Sequence, residues 1–228
     1  MWPLVVLLGL ATLVGLFIWW RLSDCSEDAR GYAIEKDPWE PPQVVNNILT
    51  QDECQQIIQR AETSFSRSTV LSDAPVDDSV RTSETAWIDR SDPIVAKLVA
   101  KATELTDLPF ENMEDIQVVR YKPGTYYRAH HDSCCDESGH CSRFAQQGGQ
   151  RAATLLVYLN SDFTEGQTHF PEHGDLKLKA DPGSAIFFRP LSSDSNRKCH
   201  PKALHAGLPI GQGTKYVCNV WVRENVFK

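Results

Sequence analysis

The chain contains no run of basic residues. Its 23 Lys and Arg are dispersed and outnumbered by 30 Asp and Glu, for a formal charge of −7; this excludes an electrostatic grip on nucleic-acid phosphates and leaves any anionic partner to a local site. Internal repeats and low-complexity tracts are missing too. With 41% hydrophobic and 23% charged residues the chain is not disordered as a whole, and 228 residues allow one globular domain or two small ones. Cysteine, at seven residues, is too scarce for a disulfide-built miniprotein. Yet Cys134, Cys135 and Cys141 stand close together, an unusual grouping in a chain kept among cytosolic reductants.

Charge disappears altogether from Trp2 to Trp20. At about 1.5 Å per residue a helix over this stretch approaches the roughly 30 Å of a bilayer's hydrocarbon core, and Trp2, Trp19 and Trp20 fall where interfacial aromatics belong. A cleaved signal peptide is the competing reading, but its apolar region is shorter and ends at a small-x-small site, whereas Trp19-Trp20-Arg21-Leu22 follows here. The expectation is a single transmembrane signal anchor over residues 1–20. Arg21, Arg30 and Lys36 beyond it favour a cytosolic body by the positive-inside rule, while the cysteine cluster favours a lumenal one. Residues 21–44 are polar and acidic and end in Pro38, Pro41 and Pro42, the composition of a stalk.

Thr50-Gln-Asp-Glu53 is a capping-box pattern, and Cys54, Ile57, Ile58 and Ala61 follow at helical spacing. A second helix is predicted near Ser91, with Pro93 in its first turn and a stripe of Ile94, Val95, Leu98, Val99, Ala102 and Leu105. Later the texture changes. Ile116–Tyr121, Ala153–Leu159, Ala185–Phe188 and Tyr216–Val222 are short apolar or β-branched runs separated by Gly, Pro and Asp. Helices first and strands later indicate an α+β domain with an antiparallel sandwich or jelly-roll core.

His130-His131-Asp132 carries the first chemical signal. In a strand, residues two apart share a face, so His130 and Asp132 present an imidazole and a carboxylate to one ion while His131 points away. Two His and one carboxylate in a facial arrangement leave positions open on Fe(II) for a chelating cosubstrate and dioxygen. A distant His must complete the set. His173-Gly-Asp175 repeats the spacing, but Pro171 and Gly174 mark a loop, and too few residues separate it from His200 and His205 to bring the chain back. Between His130 and His205 there is room for several strands of about five or six residues. Lys215 follows Gly211 and Gly213 and opens the last apolar strand. If buried beside His205 it needs an anion, which a dicarboxylate cosubstrate supplies; by itself it also suits a solvated loop.

These residues lie within a wider pattern. Tyr121-Lys-Pro-Gly124-Thr-Tyr-Tyr127-Arg-Ala-His130-His-Asp132 resembles the Y-x-x-G-x-x-Y-x-x-H-x-D signature of the prolyl 4-hydroxylases, iron- and 2-oxoglutarate-dependent dioxygenases. The similarity extends, in the family's order and over about residues 45–228, through Leu49-Thr-Gln-Asp-Glu-Cys54, Arg81-Thr-Ser83, Glu111-Asn-Met-Glu114, Arg151-Ala-Ala-Thr154 and Leu204-His205-Ala-Gly-Leu-Pro209 to Lys215 and Trp221.

The resemblance implies a double-stranded β-helix (jelly roll) with supporting N-terminal helices, occupying 45–228 behind the anchor and stalk. It makes His130, Asp132 and His205 the iron ligands and Lys215 the partner of the distal carboxylate of 2-oxoglutarate, with Tyr121 and Thr168 as further cosubstrate contacts. Glu114, Tyr127, Arg151 and Trp221 fall where the family lines its peptide groove, and Leu71–Arg81 where it has a mobile loop. The implied reaction hydroxylates a peptidyl proline with dioxygen while 2-oxoglutarate becomes succinate, with ascorbate as the reductant that rescues iron. The implied substrate is a proline-rich or collagen-like polypeptide, and the implied location the lumenal side of the endoplasmic reticulum or Golgi membrane. Rival readings are a related dioxygenase acting on another residue or a small molecule, and a non-catalytic membrane-tethered jelly-roll module; oligomeric state is open.

Two departures stand out. The family's G-G-x-T-x-F-P is Glu165-Gly166-Gln167-Thr168-His169-Phe170-Pro171 here, with an acid at the first glycine. The stretch Ser133–Gln147 is longer than the family leads one to expect; a zinc knot from its Cys and His fits no four-ligand spacing, and a disulfide from Cys141 to Cys134 or Cys135 is simpler. Cys54, on the first helix's apolar stripe, is expected to be a small buried hydrophobe.

Overall fold

The Thr50 capping box forms as its sequence anticipates. The Thr50 hydroxyl accepts from the Glu53 backbone N–H at 3.3 Å, and the Glu53 carboxylate accepts from the Thr50 N–H at 2.8 Å, satisfying donors that a helix start leaves bare. Helix α1 (Gln51–Glu62) then turns Cys54, Ile57, Ile58 and Ala61 inward. The second helix enters through a 3-10 turn at Pro93–Val95, capped by Asp92, and α2 (Ala96–Thr106) buries Leu98 and Ala102. A third short helix, α3 (Gly139–Ala145), starts at Ser138.

The computed structural model describes residues 39–70, 76–136, 138–193 and 198–228, together with the backbone of two short strands before them. Those two, β1 (Cys25–Glu27) and β2 (Ala33–Glu35), pair antiparallel within the expected stalk. The body contains β3 (Gln43–Val45), β4 (Ser66–Arg67), β5 (Glu84–Ile88), β6 (Ile116–Tyr121), β7 (Tyr127–His130), β8 (Arg151–Tyr158), β9 (Phe163–Glu165) and β10 (Thr168–Phe170). It continues with β11 (Leu176–Leu178), β12 (Ala185–Phe188), β13 (His205–Gly207), β14 (Ile210–Gly213) and β15 (Lys215–Arg223).

The major sheet runs β3-β12-β8-β15-β6-β5-β4, the minor sheet β11-β10-β13-β7, and β14 pairs with β9; all pairings are antiparallel. The central strands are buried on both faces, so alternation sorts their side chains into two cores. Leu155, Val157, Cys218, Val220, Ala185 and Phe187 pack with α1 and α2, while Leu156, Tyr158, Val217, Ile186 and Phe188 pack with Phe163, Phe170 and Ile210 from the smaller sheets. This is the expected jelly roll with helices on its outer face. Cys54 is fully buried among apolar neighbours, as anticipated.

The body starts earlier than expected. Trp39 is buried and donates its indole N–H to the Arg189 carbonyl at 2.9 Å, and β3 is an edge strand on β12; hydrophobic and ladder contacts thus place residues 39–44 in the domain instead of the stalk. The anchor expected over 1–20 lies outside the described residues, and among the described residues no helix is long and apolar enough to cross a membrane. Residues 71–75 of the expected mobile loop also lie outside them.

Because the capping box starts the helix that covers the major sheet, Thr50→Ala is expected to cost about 1 kcal/mol. Thermal denaturation should show a fall in Tm of about 2–4 °C for a domain of this size.

Candidate active site

His130 ends β7 and faces His205, which opens β13, as a direct register pair. Asp132 follows His130 by two residues and lies between the rings, 3.7 Å from His130 Nε2 and 3.8 Å from His205 Nε2. Each imidazole sets its Nδ1 against a backbone carbonyl, Arg128 at 2.8 Å for His130 and Ala203 at 3.1 Å for His205. That contact directs both Nε2 atoms at the same point. The ligand atoms of the three side chains lie within 4.8 Å of one another, and two nitrogens with one carboxylate are a donor set suited to Fe(II). Burial pushes His205 down to about 4 against the pull of Asp132, so the imidazole is neutral, as a ligand must be. Burial raises Asp132, but His205, His130 and Arg151 outweigh it and hold the carboxyl well below its ordinary value.

Neighbours fix these side chains. Thr154 donates its hydroxyl to Asp132 Oδ2 at 2.6 Å, Phe188 meets the His205 ring edge-on at 4.8 Å, and Tyr127 stacks on His130 with centroids 3.6 Å apart. Arg81, buried, also lies over the Tyr127 ring, at 4.5 Å.

Lys215 lies deeper on the inner face of β15. Its Nζ donates to the Gly166 carbonyl at 2.8 Å and to the Tyr158 hydroxyl at 3.4 Å, and among the described residues no carboxylate pairs with it. Burial, with Lys179 nearby, pushes it down to about 7. Tyr158 and Thr168 share a hydroxyl contact of 2.9 Å, and the Tyr121 ring lies 5.5 Å from Nζ. The turn that supplies the Gly166 carbonyl is the one carrying the departure from the family: Glu165 takes φ +60° and Gly166 φ +65°. The acid accepts a left-handed conformation at a cost of about 1 kcal/mol, while a Cβ on Gly166 would run into the end of the Ile210 side chain.

A cavity of about 660 Å³ runs from Lys215 past the two histidines to Arg151 and Trp221. Its two ends lie on one strand face, about 20 Å apart at the usual rise. At the outer end Arg151 grips Glu114 through Nε and Nη2, at 2.7 and 2.8 Å, and lies 3.3 Å over the Trp221 ring. Arg223, 1% exposed, reaches Glu114 at 2.6 Å. Burial raises the Glu114 pKa, yet the two arginines bring it below the usual range. The Trp221 indole nitrogen is buried with no hydrogen-bond partner among the described residues.

Every residue singled out in the sequence as ligand, cosubstrate contact or groove residue lines this one cavity. His173 and His200 do not: they pack against Trp39. The zinc-knot alternative fails because Cys134 is bonded to Cys141, while Cys135 is bonded to Cys199, a bridge spanning 64 residues that spacing gave no means to find. Thr154, Tyr158, Arg81 and Arg223 were missed; alternation from Thr154 to Tyr158 on β8 was the available signal for the first two.

Jelly roll, facial donor set and buried lysine together define a 2-oxoglutarate- and Fe(II)-dependent oxygenase, and residues 116–223 match the family model described as the 2OG-Fe(II) oxygenase superfamily. The chain is 44% identical over 201 residues to a prolyl 4-hydroxylase homologue of Acanthamoeba polyphaga mimivirus, covering 88% of this chain and 81% of that one. It is 30% identical over 205 residues to prolyl 4-hydroxylase 1 of Arabidopsis thaliana, covering 82% and 70%. Its fold is similar to the viral collagen prolyl hydroxylase of Paramecium bursaria Chlorella virus-1 in complex with 2-oxoglutarate, with TM-score 0.63, 31% identity and 80% and 96% coverage. The chain belongs to the prolyl 4-hydroxylase family.

Glu114→Gln leaves Arg223 and Arg151 without their anion. A loss of about 3 kcal/mol or more is expected in chemical denaturation, the cost of an uncompensated buried charge.

Proposed function

We propose that the chain is a peptidyl-proline 4-hydroxylase in which His130, Asp132 and His205 hold Fe(II), and Lys215 with Tyr121, Thr168 and Tyr158 holds the distal carboxylate of 2-oxoglutarate. The outer groove, at Tyr127, Arg151 and Trp221, receives a proline-rich or collagen-like polypeptide. The observation that carries this reading is a buried ammonium with no anion of its own among the described residues, at the inner end of the cavity that holds the two imidazoles and the carboxylate. Fe(II), 2-oxoglutarate and dioxygen, when bound, supply an oxidation that couples decarboxylation to succinate with hydroxylation of proline. The chain's own part is placement. Thr154 fixes the carboxylate, the backbone carbonyls fix the imidazoles, and Lys215 sets the cosubstrate's far end, so that the substrate carbon meets a preset site.

Glu114 supports this groove indirectly, since both its oxygens are engaged by arginines. Ascorbate is the expected reductant for iron oxidised without substrate. The two disulfides support an oxidising compartment, the lumen of the endoplasmic reticulum or Golgi, with residues 1–20 as a membrane tether.

Proline-rich and collagen-like peptides incubated with protein, Fe(II), 2-oxoglutarate and ascorbate should gain one oxygen per modified proline by mass spectrometry, and His130→Ala should abolish succinate formation. Peptides that leave succinate at the iron-loaded background would overturn the prolyl assignment. Thr154→Val should weaken Fe(II) binding about ten-fold or more in a metal titration. A bound dicarboxylate raises the Lys215 pKa above about 7 and so favours proton uptake. Affinity for 2-oxoglutarate is therefore fully present below pH 7 and falls as pH rises through the bound-state value; calorimetry in buffers of different ionisation heat should show that uptake.

A further inference from the structure

The stretch between Asp132 and Arg151, which departs in length from the family pattern, forms one wall of the outer groove. Cys134, Phe144 and Gln147 line the cavity together with Trp87, Trp221 and Phe227. Four separate attachments hold this wall. Cys134–Cys141 closes the loop on itself and Cys135–Cys199 ties it to the segment leading into His205. The Gln150 amide clasps Cys134, accepting from its N–H at 2.9 Å and donating to its carbonyl at 2.6 Å. Arg223 donates from one nitrogen to the Phe144 and Gly149 carbonyls at 2.9 and 2.7 Å, capping the end of α3 while its guanidinium lies 4.0 Å from the Phe144 ring. The returning chain passes so near the C-terminal segment that a Cβ on Gly148 would meet the Val226 carbonyl oxygen at 2.7 Å.

So heavily braced a surface insertion is poorly explained by packing alone, because only Cys141, Phe144 and Gly148 of 139–149 are buried. What it presents to the groove is uncharged: an aromatic ring and the exposed Gln147 amide. In the same cavity Trp87 is 51% exposed, and among the described residues the Trp221 N–H has no acceptor. Of the carboxylates that line the cavity here, Glu114 is engaged by two arginines and Asp115 by the Arg90 N–H at 3.2 Å. Aromatic faces with a free donor suit an extended proline-rich segment, whose rings stack and whose carbonyls are unpaired.

We propose that α3, braced by its two disulfides and Arg223, is the wall that selects uncharged, proline-rich residues flanking the target proline. The inference rests on the prolyl 4-hydroxylase reading and assigns it a specificity element.

The test uses the full chain and three variants: Phe144→Ala, Cys134→Ser combined with Cys141→Ser, and, as control, Arg143→Ala on the exposed face of α3. For the first two, KM for a neutral proline-rich peptide should rise about ten-fold while KM for 2-oxoglutarate stays within about two-fold, a loss confined to substrate binding. The preference for neutral peptides over ones with Lys or Glu beside the proline should shrink, and quenching of tryptophan fluorescence by the peptide should need correspondingly more of it. Arg143→Ala should match the parent chain. A parallel rise in both KM values would show a general brace and overturn the selection role, as would an unchanged peptide KM and preference. If the parent chain modifies no prolyl peptide, the proposed function fails first; if it does and the variants keep their preference, only the wall assignment fails.

Discussion

Strands β8 and β15 are neighbours in the middle of the major sheet, and each must satisfy two environments at once. Their alternate residues pack outward against α1 and α2, through Leu155, Val157, Cys218 and Val220; of the intervening ones, Leu156, Lys215, Val217 and Trp221 line the cavity, and Thr154 and Tyr158 reach Asp132 and Lys215. A slip of one residue would exchange the two sets and place an ammonium and an indole under the helices. The register is pinned by seven residue pairs between the two strands, from Val217↔Tyr158 to Arg223↔Arg151. The positions of the lysine, the hydroxyls and the groove aromatics all follow from that register.

The minor sheet contributes the donors. The Thr154–Asp132 hydrogen bond is where the two sheets meet chemically, a hydroxyl from β8 fixing a carboxylate carried just beyond β7. The site treats its buried charges in two ways. At the outer end Arg151 and Arg223 share the Glu114 carboxylate, which offsets part of their charge where desolvation would otherwise be costly. Lys215, at the inner end, donates to a carbonyl and a hydroxyl and has no carboxylate beside it among the described residues. A cation so placed is destabilising until an anion arrives, which is the arrangement a site for a dicarboxylate requires.

Much of this was legible in the sequence. The capping box, the two helical stripes and the apolar runs became α1, α2 and the central strands, since each rests on short-range periodicity. His130 with Asp132 could be read from a spacing of two, and Lys215 from its place at the head of the last strand. The first glycine's replacement by Glu165 left the neighbouring turn open, and the structure shows the acid taking the left-handed conformation itself. Trp39 could not be assigned from a proline-rich acidic stretch, because its burial depends on the Arg189 carbonyl 150 residues away.

Local pattern by itself determined the kinds of element and which side chains share a face, because helical and strand periods are properties of a few consecutive residues. Family resemblance added His205 as the third donor. Tertiary structure alone decided how those faces meet: that Thr154 braces Asp132, that Tyr158 stands beside Lys215, that Arg223 shares Glu114 with Arg151, and that Cys135 finds Cys199. Each of these joins residues that sequence separation leaves unrelated, and the order in which strands lie side by side in space brings them within bonding distance.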